Sequence, residues 1–160
     1  MAEPSAASVK LPALDPATVA VRQGSSYPAD LAGPCAGRLK RALGNALGLK
    51  NFGVNLTELP PGSRSALRHW HSHEDEFVYI VEGEVILVTD AGEQVLRAGM
   101  AAGFPAGVPD GHQLVNRSGK LAVYLEVGDR REEDDCFYPD VDLQFRHQDG
   151  VFTRKDGSPV

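Results

Sequence analysis

From residue 51 to residue 127, turn signals cut the chain into short runs of β-forming residues, and this spacing is what most limits the folds open to it. Pro60-Pro61-Gly62, Asp90-Ala91-Gly92-Glu93, Ala98-Gly99, Pro105-Ala106-Gly107, Pro109-Asp110-Gly111 and Arg117-Ser118-Gly119-Lys120 are the punctuation. Glycine, proline and aspartate each favour turns for their own backbone reason. Strands are expected over 51–59, 67–71, 77–82, 85–89, 94–97, 100–104, 112–116 and 121–127. Asp90 to Glu93 is expected to close a hairpin. Short strands at this spacing indicate an all-β sandwich or barrel. Closing the strands into a jelly roll removes most exposed edges.

Outside that stretch the character changes. At 160 residues the chain reads as one domain. Residues 1–33 read as an extended N-terminal arm, partly disordered at its start, with Tyr27-Pro28 docking on the barrel. Residues 34–128 read as the barrel, and 129–160 as a C-terminal extension packed on it. In the first strand of the barrel proper, Phe52, Val54 and Leu56 share one side, and Asn55 and Thr57 lie on the other. Residues 38–49 are ambiguous. Leu39, Leu43 and Leu47 recur every four residues, as in a short helix, yet Gly44 and Gly48 weaken a helix. The alternative is a strand over 38–43 and a turn over 44–49. In the extension, Asp149-Gly150 and Asp156-Gly157 read as turns.

The formal charge is −6 with no basic cluster, so nucleic acid and anionic membranes are poor partners. No run is long enough to span a bilayer. The start carries Glu3 and no basic, apolar leader. Cys35 and Cys136 are far apart and in no metal-like spacing, so both are expected as free thiols in a reduced, cytoplasmic chain.

The chemistry concentrates in two places. His69 and His71 flank Trp70, and alternate residues of a strand share a face, so the two imidazoles project together about 7 Å apart. Glu76 follows five residues later and opens the next strand. Two imidazoles and a carboxylate from neighbouring strands suit a borderline divalent metal. Further on, His112 follows the Pro109-Asp110-Gly111 turn and can supply a fourth ligand.

These two stretches resemble the two motifs of the cupin superfamily. In the first, Gly62 precedes His69-x-His71 by six residues where the family pattern has five, and Glu76 and Gly83 keep their spacing. In the second, Gly99, Pro105 and Gly107 fit, and His112 and Asn116 keep their spacing. Four residues separate Gly107 from His112 where the pattern has two. Both departures lie in turns, where length varies at little cost. The resemblance implies a single cupin jelly-roll barrel holding one divalent transition metal (Zn, Fe, Mn or Ni) on His69, His71, Glu76 and His112. It also implies a homodimer pairing through barrel faces, to which the sequence adds Phe77 and Tyr79 on an outer strand face.

Other residues are weighed against the same picture. His73 is expected in a turn and His147 in solvent. Tyr124 and Glu126 share a strand face, as acid–base groups of the pocket or as structural residues. Tyr79 is expected to pack on the face opposite Glu76. Arg64 and Arg68 flank the metal strand, to meet an anionic ligand or simply to be solvated. Asp140 and Asp142 could suggest a second metal, but they read rather as a cap for the tail or as part of a subunit contact.

Such a site permits several reactions, and the cupin fold does not choose among them. The resemblance is to small bacterial cupins carrying a sugar-phosphate isomerase label. It leads to an expected small polar ligand, such as a sugar or sugar phosphate, in a metal-dependent enzyme. The alternatives are a non-catalytic binding or sensor cupin, and an Fe-dependent dioxygenase or lyase.

Overall fold

The computed structural model describes residues 9–160, so the disorder expected at the extreme start lies outside the described residues. The strands are β1 (Val21–Gln23), β2 (Leu39–Ala42), β3 (Phe52–Leu59), β4 (Trp70–His71), β5 (Glu76–Glu82), β6 (Glu84–Thr89) and β7 (Gly92–Arg97). They continue as β8 (Ala101–Phe104), β9 (Gln113–Val115), β10 (Ala122–Asp129), β11 (Asp135–Tyr138), β12 (Leu143–Arg146) and β13 (Val151–Thr153). One short α-helix, α1 (Leu43–Ala46), follows β2.

The strands form an all-β jelly roll. One wall is a six-stranded antiparallel sheet in the order β1-β2-β3-β10-β5-β8. The facing wall is made of two smaller sheets, β13-β12-β11-β4 and β7-β6-β9. Isolated bridges Arg64↔Val115 and His69↔His112 tie the second wall together. The expected strand over 67–71 is therefore shorter, Trp70–His71, with His69 attached by a single bridge. Residues 38–49 follow the strand alternative, but the turn tightens into one helical turn with Gly48 in the left-handed region.

Period-2 alternation sorts the six-stranded sheet into an inner and an outer face. Along β10 the inner residues are Ala122, Tyr124, Glu126 and Gly128. They pair with Leu59, Thr57, Asn55 and Gly53 of β3. On the other side Tyr124, Glu126 and Gly128 pair with Ile80, Val78 and Glu76 of β5. The Ala122 end meets β6, β7 and β9, and there Leu59, Ile80, Val85, Leu87, Leu96 and Leu114 make the dry core. Gly83 turns β5 into β6 with φ of 76°, and a Cβ there would stand 2.5 Å from the Leu121 carbonyl oxygen. That position therefore admits only glycine.

The tail builds a second, smaller core. Leu67, Cys136, Tyr138 and Leu143 are buried there, with Tyr27, Phe145 and Phe152 packed against them. Tyr27 meets Tyr138 edge-on at 5.6 Å, and its hydroxyl accepts the Leu67 N–H, so the arm does dock through Tyr27. The expected Asp149-Gly150 hairpin turn is wider than two residues, because β12 ends at Arg146 and β13 begins at Val151.

Candidate metal centre

Three elements deliver the predicted ligands to one point. His69 and His71 project to the same side because one residue separates them on an extended segment. His112 lies directly across from His69, since the two exchange backbone hydrogen bonds of 3.1 and 2.9 Å. Glu76 comes from the opposite wall as the first residue of β5. Its Oε2 stands 2.7 Å from His112 Nε2 and 3.4 Å from the Nε2 of both His69 and His71.

That oxygen is buried, yet none of the three contacts has hydrogen-bond geometry, so it is left without a partner. A buried orphan of this kind calls for an explanation such as a bound ion. At metal–ligand distances of about 2.1 Å, neighbouring donors stand about 3.0 Å apart in an octahedron and about 3.4 Å apart in a tetrahedron. The two 3.4 Å separations match the tetrahedral value, the 2.7 Å one is shorter than either, and His69, Glu76 and His112 form a group that could hold a divalent ion.

The far sides of the rings set their tautomers. His69 Nδ1 lies 2.8 Å from the Leu67 carbonyl oxygen, which fixes the proton on Nδ1 and leaves Nε2 facing Glu76. His71 Nδ1 lies 2.6 Å from Asp134 Oδ2, giving the carboxylate–imidazole arrangement that orients a ligating histidine. Asp134 is itself held by the backbone N–H groups of His73 and Glu74 at 2.8 and 3.2 Å. The His112 ring stacks flat on Phe104, with centroids 3.5 Å apart.

The charges follow from these contacts. Burial works against a charged His71, but its hydrogen bond to Asp134 and the nearby negative charge of Glu76 outweigh it and push the pKa up to about 10. Burial lowers the pKa of His112, partly offset by Glu76. Burial alone would raise the pKa of Glu76, yet the surrounding imidazoles hold it well below the usual carboxylate range. Asp134 is likewise depressed: burial opposes the shift, and His71 with the two backbone donors overcomes it.

Two participants were not legible beforehand. Asp134 lies in the charged run Asp129 to Asp135, which the sequence gives no reason to bury, yet it is among the buried polar residues. Cys136 pairs with His71 across β4 and β11. Its sulfur groups with the nitrogens of His69 and His71 as a second donor set that could hold a metal. The only sequence signal was parity: Cys136 and Tyr138 alternate on one face of a strand. Both cysteines are free and buried.

The remaining candidates separate. Tyr124 is fully buried in the core, with its hydroxyl unpartnered and its pKa raised mainly by burial. Glu126 accepts from Lys40 at 2.9 Å and from Asn55 at 3.1 Å, and it faces the cavity beside Glu76. Arg68 does not reach toward a ligand. It is held by Asp140 at 2.8 Å, by Asp90 and by the Gly111 carbonyl, and so fastens the tail to the barrel. Asp140 is thereby explained as a cap. Arg64, His73 and His147 are exposed. Tyr79 lies on the outer face and is 40% exposed rather than packed.

The Cupin domain family matches residues 55–128. A structure from Silicibacter pomeroyi, described as a sugar phosphate isomerase from a cupin superfamily, is 46% identical, with 93% of this chain and 96% of that one aligned and a TM-score of 0.88. The chain belongs to the cupin superfamily. A structure from Acidithiobacillus ferrooxidans, described as a candidate sugar phosphate isomerase, is 29% identical over 74% of this chain and 75% of that one, with a TM-score of 0.69. The polyketide cyclase RemF from Streptomyces resistomycificus shares the fold alone, at 22% identity, 73% and 78% coverage and a TM-score of 0.60. None of the curated proteins compared with this cupin matches it at a significant level.

Proposed function

We propose that this cupin holds one divalent transition metal (Zn, Fe, Mn or Ni) on His69, His71, Glu76 and His112. We propose that it acts there on a small polar metabolite, a sugar or sugar phosphate, as an isomerase. The observation that carries the reading is the orphaned Glu76 Oε2 at the meeting point of three imidazoles. The 46% identical neighbour described as a sugar phosphate isomerase supports the substrate class. A bound ion would polarise a carbonyl or hydroxyl oxygen of the ligand. Leu67 and Asp134 fix the imidazole tautomers that leave Nε2 free. Glu126 is our candidate for the proton-transfer group. Burial would raise its pKa, but Lys40 keeps it ionised.

The test is elemental analysis of the purified protein and of a His71→Ala, His112→Ala double variant. This is followed by an isomerase panel with the native metal restored. We expect stoichiometric metal in the parent, none in the variant, and a β-sheet circular dichroism spectrum in both. Metal retained by the folded double variant would sink the assignment.

A second reading, a binding or sensor cupin without turnover, is favoured by one observation. Glu126 is already engaged by both Lys40 and Asn55. Substrate turnover by the loaded protein decides between the two.

We also propose a homodimer. The outer face of the six-stranded sheet is a block of apolar side chains: Val54 and Leu56 beside Val127 and Leu125, then Phe77 and Tyr79. Phe77 and Tyr79 are 44% and 40% exposed. Contiguous apolar surface of this kind marks an interaction site. A monomeric mass by light scattering at micromolar concentration would count against it. Among the described residues no helix is long and apolar enough to cross a membrane, and a cytoplasmic location suits the two free thiols.

A further inference from the structure

A cavity of about 300 Å³ opens beside the metal centre, lined by His69, His71 and Glu76 on one side and by Arg22, Arg38 and Lys40 on the other. We infer that these three cations form an oxyanion subsite. The ligand would then carry a phosphate or carboxylate group held there while its oxygens reach the metal. The inference rests on the metal reading above and adds the ligand's charge and the residues that recognise it.

Four observations carry it. First, Arg22 and Lys40 are direct cross-strand partners in β1 and β2. Like charges placed opposite one another destabilise a sheet, and breaches of local rules concentrate at functional sites. Glu126 neutralises Lys40, but among the described residues Arg22 has no acidic partner and no side-chain hydrogen bond. Second, Arg38 is buried, with only the carbonyl oxygens of Gly24 and Ser65 as partners. A buried guanidinium without a counter-charge favours an anion nearby. Third, Ser25 lines the same cavity with its hydroxyl buried and unpartnered, so a hydrogen-bond donor is left for a ligand. Fourth, among the described residues the carboxylates lining this cavity are Glu76, read above as a metal ligand, and Glu126, committed to Lys40. The wall is net positive before any metal adds its charge.

The geometry of the arm explains how the subsite is built. Lys40 sits opposite Thr57 on the inner face of β2, and Arg22 continues that row on β1. Arg22 and Lys40 also line the adjoining cavity of about 400 Å³, so they stand where the two spaces meet. All four residues precede residue 55, where the family match begins. The subsite is therefore contributed by a segment outside the matched Cupin domain.

The experiment uses the full chain in metal-free and metal-loaded forms, as parent, Arg22→Ala, Arg22→Lys and the surface control Arg97→Ala, with calorimetric titration. Inorganic phosphate and acetate are titrated into the metal-free protein. Phosphoglycolate and glycolate are titrated into the loaded protein. We expect phosphate to bind the metal-free parent, and phosphoglycolate to bind the loaded parent more tightly than glycolate. Arg22→Ala should weaken phosphate and phosphoglycolate by about 10- to 100-fold, the loss of a charge-assisted contact. Arg22→Lys should recover part of that loss, and glycolate affinity and metal content should not change. Acetate showing the Arg22 dependence in place of phosphate would assign the subsite to a carboxylate.

No anion binding to the metal-free parent, together with no advantage of phosphoglycolate over glycolate, would overturn the inference. So would an equal loss in Arg97→Ala. A parent that takes up no metal would defeat the metal reading alone. The metal-free phosphate titration would still judge the subsite.

Discussion

The same three strands build two ends of the barrel with opposite chemistry. At one end β3, β10 and β5 turn Leu59, Ala122 and Ile80 inward, and the space is dry. Two residue pairs along, the same inner face carries Asn55 and Glu126, then Gly53, Gly128 and Glu76 in one row. The period-2 alternation of β3 and β10 runs through both ends, with one irregularity against β5 between Val123 and Tyr124, so the pleat sets only which residues point in. What they do there depends on side-chain chemistry. Branched apolar residues fill the first end. Small and charged residues leave the second open to a ligand and oblige its polar groups to find partners. Stability and function are thereby separated along the length of single strands.

The largest effect should come from breaking the dry end. Leu59→Ala removes a fully buried side chain and should cost about 2–5 kcal/mol in urea denaturation. The folded fraction should keep its metal. Metal loss without a fall in stability would show that the two ends are not separable.

Next is the support of the wet end. Asp134→Asn should weaken metal affinity by about 10- to 100-fold in chelator competition, because it withdraws the carboxylate that orients His71. An unchanged affinity would remove Asp134 from the site.

The pH dependence sharpens the contrast further. In the metal-free protein the folded pKa of His71, about 10, exceeds its ordinary value of 6.5. Its stabilisation is therefore present below 6.5 and is lost as pH rises through 10. Glu76 and Asp134 are shifted the other way. Their contributions are present above the ordinary carboxylate range and are lost as pH falls through the depressed values. Metal must displace the His71 proton, so its apparent affinity should rise about tenfold per pH unit in that window. The gap in Tm between loaded and metal-free protein should widen from about pH 5 to about pH 8. Metal uptake should also release a proton into weak buffer. A constant gap with no proton release would exclude His71 as a ligand.

The smallest effect is expected at the tail anchor. Arg68→Ala breaks pairs whose acidic partners, Asp90 and Asp140, are more than half exposed. Solvent screening limits the cost to about 0.2–1 kcal/mol. The loss should shrink at high salt in thermal melts.

How much was legible varies with the range of the interaction. The hairpin at Asp90, the Gly83 turn and the projection of His69 and His71 together are local, and turn chemistry and parity are local rules. Parity alone did not say which side of β3 faces inward. The apolar side, Phe52, Val54 and Leu56, turned out to be the outer one, with Asn55 and Thr57 inside. Residues 38–49 misled the helical reading because Leu39 belongs to a strand paired with β3, a contact that overrides a four-residue repeat. Asp134 and Cys136 were hidden because each matters only through the strand it lies against, more than sixty residues away in sequence.

By itself the sequence determined the strands, the turns between them, the motif spacings, and hence the jelly roll and the four residues proposed as metal ligands. Those properties depend on residues a few positions apart. The tertiary structure alone decided that Glu76 Oε2 stands unpartnered among three imidazoles, that Asp134 locks His71, and that Arg22 and Lys40 share one wall of the cavity. Each depends on the register between strands distant in the chain, and register is set by the packing of the whole barrel.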